Sequence, residues 1–265
     1  MALHLKKLVP YFLAGWVPGG RKRCVICGHR VWRFMPYRQG SRGVAPLMHA
    51  LEGIGSDVDN CECPRCGAHD RERHLLLYLR VSGLLAQLPQ WSILHFAPEK
   101  RLSRCIAAQK PLRHVRCDLY PTSLDIERVD IQDMPFEANT FDLLLANHVL
   151  EHVNALDSAL AEIHRVLKPD GYAIVQTPYS PKLHHTWEDA GIDTPQARLQ
   201  AFGQEDHVRL FGRDIFQRIA GFGLAPHIHS HQALLADCDA DTFGVNPLEP
   251  LFLFQKANLN FDRLK

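Results

Sequence analysis

The sequence predicts an α/β protein, a mostly parallel sheet wrapped by helices, preceded by a small cysteine-rich module. Two observations predict this. Apolar runs at 92–97, 112–117, 141–146 and 172–177 have the length of buried strands, with helical periodicity between them. Five of the eight cysteines crowd into residues 24–66, ahead of all these strands. At 265 residues the chain exceeds one typical domain and is short for two large ones. The expected division is 1–85 for an N-terminal helix and cysteine module and 86–265 for the α/β domain.

In chain order, Lys6-Lys7 and the apolar stretch 8–17 imitate a secretion signal weakly. Pro10 interrupts the run, no small-x-small site follows, and Arg21-Lys22-Arg23 comes too soon. A short helix packed on the domain fits better than one lying on a membrane surface. No run approaches the roughly 18 apolar residues of a membrane span.

Cys24-Val25-Ile26-Cys27-Gly28 and Cys63-Pro64-Arg65-Cys66-Gly67 are two Cys-x-x-Cys-Gly knuckles. Such turns point both sulfurs at one metal, and the glycine lets the backbone close behind the second cysteine. Cys24, Cys27, Cys63 and Cys66 are therefore the expected ligands of a structural zinc. Cys61 is a spare that could replace Cys63. A redox pair or an iron–sulfur cluster fits the spacing less well. Clustered thiols of this kind imply a reducing compartment, so a cytoplasmic location is expected.

Residues 1–80 hold 13 of the 30 Lys and Arg and 6 of the 29 Asp and Glu, a net of +7, leaving −6 for the rest. Four thiolates on zinc carry −2, which basic neighbours would offset; an RNA partner is the other reading. Arg71 and Arg73, at the start of the helix leaving the second knuckle, would hold its phosphates or else pair with Asp70 and Glu72.

The middle of the chain is the most specific part. Val129-Asp130-Ile131-Gln132-Asp133-Met134-Pro135-Phe136 is a polar loop ending in Met-Pro-Phe. The strand Phe141-Asp142-Leu143-Leu144-Leu145-Ala146 follows, then Asn147-His148-Val149-Leu150-Glu151-His152, a helix with Leu156, Leu160, Ile163 and Leu167 on one face, and Lys168-Pro169-Asp170-Gly171. From about Trp91 to the C-terminus the chain resembles the class I methyltransferases that use S-adenosylmethionine. The resemblance implies a Rossmann-like sheet closed by an antiparallel pair, 224–229 with 251–256.

It also implies site residues. Asp118, ending the second strand, suits the ribose diol, because a carboxylate accepts from two vicinal hydroxyls. Asp130 or Asp133 suits the adenine amino group, with the backbone of Ile131 nearby, and Leu119 and Met134 sandwich the ring. Asn147 and the loop Phe96, Ala97 and Glu99 complete the cofactor set. The family usually places an acidic residue and Gly-x-Gly-x-Gly in that loop. Here it reads His95-Phe96-Ala97-Pro98-Glu99-Lys100, without glycine. Some methyltransferase-like chains resemble this one in carrying Phe-Ala-Pro-Glu after a Cys-x-x-Cys pair. Glu99 then either meets the cofactor's ammonium or caps the following helix.

The acceptor side falls in an insert at about 179–212. Asp206-His207 has the makings of an oriented base, with His152 a second candidate. Tyr179, His184 and Trp187 are candidate acceptor contacts and Arg209 an anion clamp. His148 and His152, four apart, would share one face of a helix, a spacing that also serves metals. Neither a Pro-Pro-Tyr after an Asn or Asp nor a Pro-Cys nucleophile is present, which disfavours base methylation of nucleic acids. The expected activity is methylation of oxygen on a small-molecule or saccharide-like acceptor. An RNA methyltransferase and a non-catalytic zinc-ribbon binding module are the rivals.

Overall fold

The computed structural model describes residues 2–257. Its nine strands are β1 (Lys22–Arg23), β2 (Arg30–Val31), β3 (Ser92–Phe96), β4 (Arg113–Asp118), β5 (Glu127–Arg128), β6 (Phe141–Ala146), β7 (Leu167–Ile174), β8 (Leu224–His229) and β9 (Leu251–Lys256). The helices are α1 (Ala2–Trp16), α2 (Pro46–Ala50), α3 (Asp70–Val81), α4 (Leu84–Gln87), α5 (Lys100–Ala107), α6 (Leu156–Val166), α7 (Pro195–Phe202), α8 (Ile215–Ala220), α9 (His231–Leu234) and α10 (Ala240–Phe243). No helix among the described residues is long and apolar enough to cross a membrane.

Seven strands form one sheet in the order β5-β4-β3-β6-β7-β9-β8. β3 to β7 run parallel, and β9 enters antiparallel between β7 and β8. This is the twisted, doubly wound sheet with an antiparallel finish that the sequence leads one to expect. Alternation along the strands splits the core in two. Leu94, Phe96, Leu144 and Ala146 face α6 and α8, whereas Ile93, Leu143 and Leu145 face α3 and α5. Because α3 supplies Leu75, Leu76 and Leu79 to that second face, the cysteine module and the sheet share one core.

One element differs from its expected bounds. β7 starts at Leu167 and runs through Lys168-Pro169-Asp170-Gly171, absorbed by a register shift opposite Phe141 and Leu143. It ends at Ile174, short of the expected 177. β8 stops at His229, and His231 opens α9 with its side chain buried.

The long spacer between the knuckles also has a structural use. Ala45 and Met48, at α2, pack with Ala201 and Phe202 of α7 and with Leu210. The cysteine module thus braces the insert that overhangs the strand ends.

Candidate functional site

The two knuckles close as their sequence requires. Gly28 N–H donates to the Cys24 carbonyl and Gly67 N–H to that of Cys63, each at 2.8 Å, with φ of +75° and +71° at the glycines. Cys24 Sγ lies 3.8 Å from Cys66 Sγ, and Cys27 Sγ 4.0 Å from Cys63 Sγ. Four sulfurs ~2.3 Å from a tetrahedral zinc would stand about 3.8 Å apart, so the donor set fits that ion. Cys61 lies outside the group of four and does not replace Cys63.

The glycine-free loop after β3 still bends as a glycine would. Ala97 adopts φ +43° and donates its N–H to the Cys117 carbonyl at 2.9 Å. A left-handed alanine is strained by about 1–2 kcal/mol, a cost that tends to persist at functional sites. Glu99 occupies the N-cap position of α5, yet its carboxylate caps nothing. That task falls to Glu72 of α3, whose Oε1 accepts from the N–H groups of Arg101 and Leu102 at 3.1 Å each. The capping alternative for Glu99 is thereby overturned.

Freed from capping, the Glu99 side chain turns inward and is 8% exposed. Asn147 Nδ2 donates to its Oε1 at 2.7 Å, Arg71 Nε stands 3.5 Å from that oxygen, and His95 Nε2 lies 3.6 Å from Oε2. Burial pushes the carboxyl up, but His95 and Arg71 outweigh it and hold Glu99 below the ordinary range. Around this pair, Arg71 Nε, Glu99 Oε2, Asn147 Oδ1, His148 Nε2, Glu151 Oε1 and Glu249 Oε1 are buried without a hydrogen-bond partner among the described residues. Polar atoms this deep are normally paired. A zwitterionic ligand with one ammonium and one carboxylate would satisfy such a set.

Beyond β6 the expected helix through His148 and His152 does not form. His148 takes φ +56° and donates its N–H to the Gln176 carbonyl at 2.7 Å, and 150–152 is a single 3-10 turn. His148 instead sits 3.3 Å from Glu151 Oε1 and 3.8 Å from Glu249 Oε1. Burial opposes its charge, yet the two carboxylates outweigh it and raise its pKa.

At the end of β4, Asp118 Oδ1 accepts from Tyr120 N–H at 2.8 Å, with Leu119 40% exposed beside it. Asp130 is already engaged by Gln132, whose N–H and Nε2 reach Oδ1 at 2.9 and 3.0 Å. Asp133 is exposed. Phe96, Ile131 and Met134 are buried in the sheet core. The ring-sandwich role expected of Met134 is therefore corrected, and Phe96 and Ile131 can offer a ligand only backbone. The local pattern could not distinguish these cases, because a core methionine and a ring-stacking one look alike in sequence.

On the acceptor side, His152, Asp206 and His207 meet although 54 positions separate the first two. His152 Nδ1 is 3.3 Å from Asp206 Oδ2. The rings of His152 and His207 stand 4.8 Å apart, nearly perpendicular. His207 Nδ1 approaches the Phe202 carbonyl at 3.0 Å, and burial lowers its pKa. Glu151 completes this cluster. Thr177 Oγ1 donates to Glu151 Oε2 at 2.9 Å. Burial pushes the Glu151 carboxyl up, and His148 outweighs it, leaving it at about 2.

Several expected contacts are structural braces instead. Arg209 is 2% exposed; it donates to the carbonyls of Leu150, Val153 and Asn154 and pairs with Glu188, so it clamps no anion. The Tyr179 ring packs edge-on against Phe216 and Phe252, and Trp187 against Phe202. Only His184 is exposed, 2.7 Å from Arg213 Nη2. Arg73 is fully buried and Arg71 faces Glu99, so neither pairs as expected with Asp70 or Glu72.

Comparison with known proteins bears on the sheet and its strand-end loops. Residues 92–175 match the family model described as "Methyltransferase domain". The match covers 84 of the 265 residues, from β3 to the end of β7. Short stretches are also similar to curated proteins: 50 residues at 48% identity to a sterol 4-C-methyltransferase of Caenorhabditis elegans, and 45 residues at 49% to a mitochondrial arginine-hydroxylase of Danio rerio. These cover 19% and 17% of this chain and only 15% and 14% of the relatives' own lengths. Among solved structures, an S-adenosylmethionine-dependent methyltransferase from Mesorhizobium loti aligns with 15% identity and TM-score 0.46, over 67% of this chain and 96% of its own. A 1,6-didemethyltoxoflavin-N1-methyltransferase from Burkholderia thailandensis, bound to S-adenosylhomocysteine, aligns with 16% identity and TM-score 0.44, over 69% and 79%. Arg71 and Glu72 precede the matched region, and the Phe-Ala-Pro-Glu loop lies near its start.

Proposed function

We propose that the chain is an S-adenosylmethionine-dependent O-methyltransferase acting on a hydroxylated small molecule or saccharide-like acceptor, with a structural zinc in its N-terminal ribbon. The observation that carries the cofactor reading is the ion pair of Arg71 and Glu99 beside Asn147, whose Arg71 Nε and Glu99 Oε2 still lack hydrogen-bond partners among the described residues, at the ends of the two central strands, with Asp118 at the end of the next. When bound, the cofactor would supply a methyl group activated by its sulfonium. Arg71 would hold the methionine carboxylate and Glu99 its ammonium. Asp118 would accept from the ribose hydroxyls. The methyl acceptor needs alignment and, for a hydroxyl, loss of a proton. The cluster of Glu151, His152, Asp206 and His207 adjoins the zwitterion site through His148 and is suited to that task.

Calorimetry on the zinc-loaded protein tests the reading. Wild type should bind S-adenosylmethionine in the micromolar range. Asp118→Ala forfeits two charge-assisted hydrogen bonds, about 3 kcal/mol or more, and should weaken binding by about 100-fold or more. No binding at millimolar cofactor would leave the non-catalytic binding module as the better account.

Zinc has its own test. Chelation should release one zinc per chain, measured by elemental analysis, and melt the ribbon, since structural zinc contributes about 10–16 kcal/mol in isolated fingers. Because α3 emerges from the second knuckle with Arg71 and Glu72, cofactor affinity should fall with the metal. A fully folded, cofactor-binding apo-protein would contradict the assignment.

A further inference from the structure

We infer that Glu151, His152 and His207 hold a divalent transition-metal ion at the acceptor site, and that the acceptor carries two adjacent oxygens able to chelate it. The inference rests on the methyltransferase reading and deepens it.

One ligand atom from each of the three residues lies within 4.8 Å of the other two. More telling is what lies behind them. His207 Nδ1 is held by the Phe202 carbonyl at 3.0 Å, His152 Nδ1 by the Asp206 carbonyl at 3.3 Å with Asp206 Oδ2 equally near, and Glu151 Oε2 by Thr177 Oγ1 at 2.9 Å. Each rear atom is thus occupied, leaving the two Nε2 atoms open and Oε1 shared only with His148 Nδ1 at 3.3 Å. This is the outer-shell pattern that fixes the tautomer and aim of metal ligands. Glu151 is 1% exposed, and its Oε1 faces His148 Nδ1 at 3.3 Å without a geometrically good hydrogen bond, so it keeps lone-pair capacity for an ion.

Two imidazoles and one carboxylate on one side of an ion suit manganese, iron, cobalt or zinc and leave the opposite positions open. Two adjacent hydroxyls, as in a catechol or a vicinal-diol sugar, would fill such positions. The ion would lower the pKa of the bound hydroxyl, whose proton would pass to water; the oxygen would then bond to the methyl carbon as the carbon–sulfur bond of the sulfonium breaks, leaving S-adenosylhomocysteine. In this arrangement His152 is a ligand and Asp206 a positioning residue.

The test uses the full chain with zinc already in the ribbon and loosely bound metal removed. Cobalt(II) should bind as one further equivalent, giving weak visible bands without sulfur-to-cobalt charge transfer. His152→Ala, at a half-buried position, and His207→Ala should each lower cobalt affinity more than 10-fold while ribbon zinc stays at one per chain; Asp206→Asn should lower it about 10-fold. Catechol should shift the cobalt bands. No second equivalent, or undiminished binding in both histidine variants, overturns the site, and bands unmoved by catechol overturn the acceptor class. S-adenosylmethionine calorimetry on the same samples keeps the two readings apart. Cofactor binding without cobalt binding sinks the metal alone, and cobalt binding without cofactor binding sinks the methyltransferase reading alone.

Discussion

Arg73→Ala should destabilise the protein by about 4 kcal/mol, the range for breaking a buried charged network, and lower the melting temperature by about 10 °C at saturating zinc. The arginine is fully buried and its guanidinium donates five hydrogen bonds, all to backbone carbonyls. Three acceptors, Asn60, Cys61 and Ala68, belong to the second knuckle. The other two, Phe243 and Gly244, lie at the end of α10. The same group stacks 3.8 Å over the Phe34 ring. Truncation would leave five carbonyls short of a donor and unpin the ribbon from the rest of the molecule. Arg73→Lys should recover little, because a single ammonium cannot reproduce the planar fork. Equilibrium urea unfolding at fixed zinc measures the effect. A loss below about 1 kcal/mol in Arg73→Ala would show that these bonds are replaceable by water.

The second large effect is expected from Glu99→Gln, which should weaken S-adenosylmethionine binding by about 10- to 100-fold while the fold is kept. Glutamine has the shape of glutamate, so packing is nearly unchanged, but the carboxylate that would meet an ammonium is gone, a contribution of about 1.5–3 kcal/mol. The substitution also leaves Arg71 without its counter-charge in a buried place, so the thermal melt has to accompany the calorimetry. Wild-type affinity in a normally folded Glu99→Gln would remove Glu99 from the cofactor site. The result also bears on the missing glycines. With Ala97 at φ +43° and Glu72 capping α5, this loop makes its left-handed turn and starts its helix without a glycine.

The four cysteines that come together were legible because each knuckle is a local device, with spacing and glycine set within five residues. The parallel strands were legible for a related reason: a strand buried on both faces is a short continuous apolar run wherever its partners lie. Asp118 was legible because it ends such a run.

The acceptor insert was legible only in part. Asp206, His207 and His152 were singled out by chemistry, and they do converge. Tyr179, Trp187 and Arg209 were singled out by the same reasoning and turn out to brace the fold. An aromatic or arginine side chain carries no mark of whether it ends against a ligand or against a phenylalanine. His148 failed differently, since a left-handed residue at the end of β6 breaks the helical register that its spacing from His152 suggests.

By itself, then, the amino-acid sequence determined the α/β class, the positions of the parallel strands, the two cysteine knuckles and the acidic residue at the end of β4. Each is encoded within a few consecutive residues by periodicity, spacing or turn chemistry. Only the tertiary structure decided that Glu72 of α3 caps α5, that Glu99 is thereby released to face Arg71, that Cys61 stands apart from the four sulfurs, and that Glu151 joins His152 and His207. Those outcomes depend on which side chains meet across tens of residues, and hydrophobic periodicity reports that a face is buried without reporting what buries it.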